Sequence, residues 1–494
     1  MTTSVLTQNR AGGVLLHITS LPGPYGIGTL GKEAVLFAEK LKAMGFSLWQ
    51  MLPVSPTDSY HSPYAGKSAF AGNPLLIDPG LLFEEGLITE EERKANEAPS
   101  PYSTDYALVE KIRPITLRRA FARMDTKLEA EFSVFCEKEK AWLLGFARYM
   151  ALKEKNNGAA WYEFEDTTPD EEEVKYHSFV QFLFFRQWKA FKEAVNHLGI
   201  RLIGDMPIYV GADSADVYAN PELFDLSEDG TPASSAGCPP DYFAAEGQHW
   251  GNPLYNWDAM EKDGYSWWIR RIGSALSLFD AVRLDHFRGF SAYWSIPKGK
   301  TPKDGAWVKG PGMKLFSKIF EAFPKAPLIA EDLGALDDGV VSLLSDSGLP
   351  GMRVLQFAFL DENDNSIHLP HRYIQNAIAY TGTHDNNTLL GWLWEATPAQ
   401  RSFALDYVGY TGDRWGDGGK DSASVPAMIR AVWASAAGVA IVPVQDLLAY
   451  GSDTKMNKPG VAAEDNWSFR ITHHALDELD VSRIRRMNEI YKRI

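Results

Sequence analysis

The sequence predicts an α/β fold, a (β/α)8 TIM barrel with inserted subdomains, one of them mostly helical. Eight short runs of apolar or β-branched residues have the length of buried strands, and segments with helical periodicity lie between them. Three of these runs end on a carboxylate, which is typical of barrel enzymes because their functional residues collect at the carboxyl ends of the strands. With 494 residues, 45% of them hydrophobic, the chain can bury a large core.

The eight predicted strands are spaced unevenly along the chain. About 150 residues separate the second from the third, far more than an ordinary connection, so an inserted subdomain is predicted there. The predicted strands are residues 14–17, 47–52, 201–207, 279–285, 327–332, 352–357, 377–383 and 439–445.

Two segments with helical periodicity lie next to predicted strands and form βα units with them. Residues 33–44 place Phe37, Leu41 and Met44 on one face, and Gly45 is suited to ending that helix. Residues 171–198 carry aromatic side chains at a spacing of about three, close to one helical face, before the third strand. Each pattern predicts a helix next to a barrel strand.

The expected organisation has three parts. Residues 1–79 contain the first two strands, and residues 80–175 form a mostly helical insertion that starts with a capping box at Thr89 and Glu92. Residues 176–494 contain the rest of the barrel. An excursion at about residues 210–279, rich in Gly, Pro, Asp and aromatics, follows the end of a strand, and long ordered loops at that face tend to be functional.

Charge and composition exclude several classes of partner. A net charge of −15 and a pI near 5.3 disfavour nucleic acid and anionic membranes. The first residues lack the features of a signal peptide, and the longest apolar stretch, residues 431–444, is too short to span a bilayer. We therefore expect a cytoplasmic protein with Cys136 and Cys238 as free thiols. The sequence leaves the oligomeric state open.

No cofactor or metal is predicted. The glycines of GIGTLG match a dinucleotide-binding pattern, but a Pro-containing segment separates them from the preceding strand. DENDNS resembles the start of a calcium loop, yet Ser366 replaces the required glycine. His61 and His371 lack the spacing of zinc ligands.

The first candidate cluster is Arg283, Asp285 and His286. Arg283 and Asp285 alternate onto the same face of a strand, so the guanidinium is expected to lower the pKa of the carboxyl and keep it ionised as a nucleophile. A buried structural ion pair is the alternative.

Two further candidates end later strands. Glu331 is expected to act as a general acid and base with a raised pKa, whereas the adjacent Asp332 should point away from the same pocket. His384 and Asp385 are suited to binding vicinal hydroxyl groups, although a turn or helix cap is an equal alternative for that segment. A nucleophilic carboxylate, a protonating carboxylic acid and hydroxyl-binding groups are what cleavage of an acetal between sugars requires.

Sequence motifs carry a family resemblance. VRLDHFRG, IAEDLG and THDNNT, in this order, resemble three strand motifs of the α-amylase superfamily. The resemblance implies that Asp285 is the nucleophile, Glu331 the acid/base and Asp385 the third carboxylate. It also implies that Arg283 and His384 support the nucleophile and the bound glucose. IGDMPIYV resembles a further motif and adds Asp205 beneath the sugar.

Other segments resemble the amylomaltases, bacterial 4-α-glucanotransferases also called disproportionating enzymes. These segments are LLHITSLPGPYGIGTLG, SPYAGKSAFAGNP, PPDYFAAEGQHWGNPLYNW and KMNKPG, and the match runs from about residue 10 to residue 470. The resemblance implies retaining transfer of α-1,4-glucan segments between maltooligosaccharides, without a cofactor. An α-glucan hydrolase on the same scaffold and a non-catalytic glucan-binding protein are the alternatives.

Aromatic residues fit a glucan ligand, because the apolar face of a pyranose packs on an aromatic ring. The resemblance places Tyr64, Tyr242, Phe243 and Trp250 in glucan-binding loops, although packing is the alternative role for each. A transferase must also hold an acceptor sugar and restrict water. Residues 242–250 are therefore expected to form part of a lid over the acceptor.

Overall fold

The computed structural model describes residues 4–98, 100–240, 246–334, 336–361, 365–461, 463 and 465–494. The strands of these residues are β1 (Ala11–Leu15), β2 (Leu48–Gln50), β3 (Arg201–Met206), β4 (Ser234–Cys238), β5 (Gln248–Pro253), β6 (Ala281–Leu284), β7 (Ala292–Pro297), β8 (Ala306–Lys309), β9 (Leu328–Ala330), β10 (Gly351–Val354), β11 (Ala377–Tyr380) and β12 (Val439–Pro443).

The α-helices of the same residues vary from one turn to eight. They are α1 (Lys32–Ala43), α2 (Pro79–Glu84), α3 (Glu90–Lys94), α4 (Tyr106–Ala122), α5 (Thr126–Lys155), α6 (Glu171–His197), α7 (Ala215–Ala219), α8 (Trp257–Lys262), α9 (Ser266–Leu278), α10 (Arg288–Ser291), α11 (Met313–Ala322), α12 (Asp338–Ser347), α13 (Leu389–Glu395), α14 (Pro398–Tyr407), α15 (Ser424–Ala434), α16 (Val444–Leu447), α17 (His473–Glu478) and α18 (Val481–Ile490). Within the described ranges, none of them combines the length and apolarity that crossing a membrane requires.

Eight parallel strands form the barrel, in the order β10, β11, β12, β1, β2, β3, β6 and β9. The main chain also links the two ends of this sheet, because the Ala330 N–H donates to the Pro350 carbonyl at 2.9 Å. All eight predicted strands are present, but their bounds differ: β1 begins three residues before its predicted start, and residues 355–357 and 444–445, predicted as strand ends, are helical. The eight strands are almost entirely buried, as expected for parallel strands covered on both faces, which explains why they read as continuous apolar runs.

The two predicted helices are also confirmed. Helix α1 buries Phe37 and Leu41 and is followed by Gly45, whose φ of +80° lies in the left-handed region that favours glycine. Helix α6 buries most of its aromatic side chains against the barrel and the insertion, then leads directly into β3. These helices therefore fix the strands that they adjoin.

The segment between β2 and β3 is helical, as the sequence predicted. It holds α2 to α6, and the capping box is present: Thr89 and Glu92 each accept the other's backbone N–H. Helix α5 packs along α6 through aromatic rings, with Phe132 centred 5.8 Å from Phe179 and 5.7 Å from Phe182. The domain boundaries at residues 80 and 175 stay a prediction.

A second sheet, absent from the sequence prediction, stands beside the barrel. It is antiparallel and has the order β5, β4, β7 and β8, so that segments before and after Asp285 pair with each other. Its strands carry a weak alternation signal, and all four residues of β8 are exposed. The pairing of β4 with β7, which are far apart in the sequence, joins the four strands into one sheet.

The amino end of the barrel is closed by the C-terminal residues. Arg493 is fully buried and donates hydrogen bonds to five backbone carbonyls, including those of Ala11, the first residue of β1, and Gly438, which precedes β12. Asn488 of α18 accepts a bond from the Trp433 indole at 2.7 Å. Polar side chains thus satisfy main-chain groups where the strands begin.

Candidate active site

Asp285 and Glu331 lie side by side at the carboxyl end of the barrel. Strands β6 and β9 are neighbours, and each acid is the first residue after its strand. The Glu331 N–H donates to the Leu284 carbonyl at 3.0 Å, and the His286 N–H donates to Glu331 Oε2 at 2.7 Å. The predicted convergence of strand ends therefore brings these two carboxyl groups together.

Glu331 is held in one orientation and favours its neutral form. Its second oxygen accepts a bond from the Leu333 N–H at 2.9 Å. Burial and then the negative charge of Asp285 raise its pKa well above the ordinary range, while Arg283 and the two amides lower it less. The raised pKa that the sequence analysis expected is present, and it suits a proton donor.

The adjacent Asp332 points elsewhere, as predicted. It is buried, and it accepts hydrogen bonds from the Met352 N–H and from Arg353 Nη1, the latter at 3.1 Å. Asp332 therefore links β9 to β10 and takes no part in the cluster.

The predicted effect on Asp285 needs correction. Arg283 Nη2 does donate to Asp285 Oδ1 at 2.9 Å, and it does lower the pKa of that carboxyl. Burial has the larger effect, however, and Asp205 and Asp385 add negative charge, so the pKa of Asp285 is raised. The side chain of Asp285 remains 27% exposed, so a ligand can reach it.

Arg283 is fixed by a buried network beneath the acids. It donates to both oxygens of Asp205, at 3.0 and 2.8 Å, and the Tyr64 hydroxyl donates to Asp205 Oδ2 at 2.7 Å. Burial would lower the pKa of Arg283, but Asp205 and Asp285 raise it well above its ordinary value. The guanidinium is thus a permanent charge between two carboxylates.

Asp385 enters the site from β11 and stays ionised. Its carboxyl pairs with His384 Nε2 at 3.2 Å and accepts a bond from Asn457 Nδ2 at 2.6 Å. Burial in the walls of the cleft would raise its pKa, but His384, Asn457 and Arg283 outweigh this and lower the pKa to about 2. Its side chain is 47% exposed, so a charged acceptor faces the cleft.

Aromatic rings line two sides of these acids. Tyr64 stacks on His384 with ring centres 5.0 Å apart and planes 14° apart. Trp250, on β5, meets His286 edge to face at 4.9 Å and is 36% exposed. Two predicted site residues, Tyr242 and Phe243, lie outside the described residues.

Three functional candidates were not assigned by the sequence analysis. Asn457 binds Asp385, and its motif, KMNKPG, was noticed without a role for any residue in it. His286 stood in the first cluster, but nothing in the sequence showed that its backbone N–H binds Glu331. Trp467 lies with its ring centre 5.8 Å from Tyr64 and 5.9 Å from His384, and no local pattern marked it.

A possible metal-binding group exists elsewhere. Glu154, Glu173 and His177 have potential ligand atoms within 4.8 Å of one another. These residues lie on α5 and α6, whereas the acids described above follow barrel strands. Arg118 already donates to both glutamates at 2.6 to 2.9 Å, so one of the two negative charges that would attract a cation is offset.

The arrangement can therefore combine three operations at one place. Asp285 offers an accessible carboxylate oxygen, Glu331 offers a carboxyl group that retains its proton near neutral pH, and Asp385 offers a charged hydrogen-bond acceptor. Paired carboxyl groups of different protonation are the basis of glycosidic bond chemistry.

Comparison with known proteins agrees with this geometry. Residues 16–476 match the family model described as 4-alpha-glucanotransferase. The 4-alpha-glucanotransferase of Thermus thermophilus is 46% identical over 98% of this chain and 99% of its own length. The amylomaltase of Streptococcus agalactiae, solved in complex with acarbose, superimposes with a TM-score of 0.92 at 39% identity, over 98% of this chain and 99% of that one.

A more distant structure shows that the same architecture persists. The amylomaltase of Corynebacterium glutamicum has a TM-score of 0.79 at 19% identity, over 99% of this chain and 76% of that one. At that identity the likeness concerns the fold alone. The full-length match to the family model and the 46% identity carry the assignment. The chain belongs to the 4-alpha-glucanotransferase family.

Proposed function

We propose that this enzyme transfers α-1,4-glucan segments between maltooligosaccharides by a retaining double displacement. One observation carries the proposal: Asp285 and Glu331 end neighbouring strands, and Glu331 is bonded to the amide of the residue that follows Asp285. A nucleophile and an acid/base group placed this close together suit a retaining reaction, in which no water needs to fit between substrate and base.

In the first half of the reaction, an Asp285 oxygen attacks the anomeric carbon of the donor glucan. Glu331 gives its proton to the departing glycosidic oxygen, and the shortened glucan leaves with a free hydroxyl group. The raised pKa of Glu331 supports this role, because the group must be protonated at the pH of the reaction.

In the second half, Glu331 is ionised and takes the proton from the 4-hydroxyl of an acceptor glucan. The acceptor oxygen attacks the anomeric carbon, the bond to Asp285 breaks, and Glu331 is protonated again. Two inversions leave the anomeric configuration unchanged.

The neighbouring groups are assigned to the donor sugar. Asp385, ionised and open to the cleft, accepts hydrogen bonds from hydroxyl groups, and His384 orients it. Arg283 and Asp205 hold the nucleophile from below, while Tyr64 offers its ring beside His384. Hydrogen bonds that strengthen as the sugar distorts stabilise the transition state in preference to the ground state.

Transfer requires that an acceptor sugar competes with water at about 55 M for the glycosyl enzyme. We assign residues 242–250 to a lid that holds the acceptor. The exposed Trp250 ring beside His286 supports this position. Phe243→Ala should lower the ratio of transfer to hydrolysis.

The test is incubation of the pure protein with maltotriose and separation of the products by length. Glucose together with a ladder of longer maltooligosaccharides is the expected result. Glucose and maltose alone would show hydrolysis and overturn the transfer assignment. The Asp285→Asn variant serves as the control, since any ladder it still forms would exclude Asp285 as the nucleophile.

A further inference from the structure

His286 has a backbone conformation that is uncommon for its residue type. Its φ of +47° lies in the left-handed region, where a side chain larger than that of glycine is strained. The residue directly follows Asp285, and the next residue, Phe287, returns to the right-handed region with φ −53° and ψ −30°. Strained residues of this kind persist where the surrounding structure requires them.

A left-handed residue followed by a right-handed one turns two successive N–H groups towards the same side, which forms a small anion-binding concavity. Here both N–H groups bond to one residue. His286 donates to Glu331 Oε2 at 2.7 Å, and Phe287 donates to the Glu331 carbonyl at 3.1 Å. The side chain and main chain of Glu331 are therefore held by a single backbone turn.

The imidazole ring of His286 is held by packing. Its plane is at 89° to Trp250, with ring centres 4.9 Å apart, and Nε2 has no hydrogen-bond partner among the described residues. Burial and the nearby charge of Arg288 lower its pKa to about 4, so the ring is neutral near pH 7. Gly289 also packs close to the ring, since a Cβ at that position would lie 3.2 Å from His286 Cδ2.

We propose that His286 is a positioning residue for Glu331: its left-handed backbone directs two amides onto that residue, and its ring, packed on Trp250, keeps the backbone in this conformation. The strand pair β4 and β5 is thereby linked to the acid/base group through Trp250. This inference rests on the proposed role of Glu331 as acid/base.

The charges that face Glu331 are not altered by a change at position 286. Arg283 and Asp285 approach it from β6. Asp205, His384 and Asp385 act on Asp285 from the ends of β3 and β11. A shift in the pKa of Glu331 after substitution of His286 therefore reports the loss of the amide bond, because that bond favours the ionised form.

The experiment compares His286→Val with His286→Gly in maltotriose disproportionation as a function of pH. Valine disfavours the left-handed region, so the amide should leave Glu331, the basic limb of kcat/KM should move up by about one pH unit, and kcat should fall about tenfold or more. Glycine accepts the left-handed region, so the basic limb should stay in place and kcat should fall less.

Lys325→Val is the matched control. Lys325 is exposed and also has a left-handed φ, +61°, but it lies in the connection before β9. The Lys325→Val substitution should lower the melting temperature without moving the basic limb of the kcat/KM profile. If His286→Val does not fold, His286→Ala takes its place, because alanine also disfavours a positive φ.

Two results would overturn the inference. One is a basic limb that His286→Val or its alanine substitute leaves unmoved; the other is an equal shift in the glycine variant. Glu331→Gln separates this from the proposed function itself. If that variant disproportionates maltotriose at the full rate, Glu331 is not the acid/base, and the proposed function fails whatever the His286 variants do.

Discussion

The two ends of the barrel each contain a buried arginine, but the partners of these arginines differ. Arg283, at the carboxyl end, has a side chain only 4% exposed and binds the carboxylates of Asp205 and Asp285. Arg493, at the amino end, is fully buried and binds five backbone carbonyls. The charge of Arg283 is paired with carboxylates, whereas Arg493 has only uncharged carbonyl groups as hydrogen-bond acceptors.

This difference changes the chemistry of each end. Burial would lower the pKa of both arginines, but the acids around Arg283 raise its pKa well above the ordinary value. Burial, with a smaller effect of Arg10, lowers the pKa of Arg493 to about 9. The carboxyl end thus gathers charges that can act on a substrate, whereas the amino end uses its arginine to join segments of main chain.

The largest expected effect is at the carboxyl end. Asp285→Asn removes the proposed nucleophile and should lower kcat for maltotriose disproportionation on the order of 10⁴-fold or more. The melting temperature should change little, because Arg283 keeps Asp205 as a partner. Asp346→Asn, on the exposed side of α12, is the control and should leave both quantities unchanged. Loss of stability equal to the loss of rate would contradict the contrast between the two ends.

Asp385→Asn should have a smaller effect on the same reaction. In the proposed mechanism the charged Asp385 accepts hydrogen bonds that strengthen as the donor sugar distorts. The amide lacks this charge, so kcat should fall about 10²- to 10³-fold with a much smaller change in KM. Steady-state kinetics with maltotriose measures both constants. If KM rises by the same factor that kcat falls, Asp385 contributes equally to ground-state binding and the assignment is wrong.

Arg493→Met should have the opposite effect, a loss of stability without a loss of kcat. It leaves five carbonyls without this donor and should lower the free energy of unfolding by about 3 kcal/mol or more, measured by urea denaturation. The kcat per folded molecule should not change. Arg486→Met is the matched control: Arg486 lies on α18, just before Arg493 in the chain, and because it is exposed its loss should cost about 0.5 kcal/mol or less. A kcat that falls with Arg493→Met would show that the two ends are coupled.

The pH dependence gives the smallest effect and sharpens the comparison. In the proposed mechanism Asp285 must be ionised, so kcat/KM should rise as the pH rises through its pKa. Glu331, as the proposed general acid, must be protonated, so kcat/KM should fall as the pH rises through its pKa. Both pKa values are raised, that of Glu331 further, so both limbs should lie above the ordinary ranges of Asp and Glu.

The same shifts predict the sign of a change in stability. The folded protein binds more protons at Asp285 and Glu331 than the unfolded chain, so the free energy of unfolding should fall as the pH rises through the raised values. Glu331→Gln should weaken this dependence. A basic limb at the ordinary pKa of a glutamate would contradict the raised pKa.

The strands and the acids that follow them could be predicted because their signals are local. A buried parallel strand must be apolar along its whole length, and a barrel places the residue after each strand at one face. Asp285 and Glu331 follow from these rules, as does the opposite orientation of Asp332, whereas Asp385 lies five residues beyond β11 and was indicated by its motif. The helical insertion followed in the same way from periodicity and from the capping box at Thr89.

Long-range contacts decided the rest. The antiparallel sheet needs β4 and β7 to pair across the segment that contains Asp285, and neither strand has a strong pattern of its own. The sign of the pKa shift at Asp285 depends on the balance between burial, which raises the pKa, and Arg283, which lowers it. Sequence spacing reveals the Arg283 neighbour but not the extent of burial.

The sequence by itself therefore determined the barrel, the family and the placement of three candidate acids, because apolar runs, strand ends and motifs are properties of short segments. Only the tertiary structure decided which protons those acids keep and which groups hold them, such as Asn457 on Asp385 and the His286 amide on Glu331. The physical reason is that burial, charge and hydrogen bonding act between residues close in space, whatever their separation along the chain.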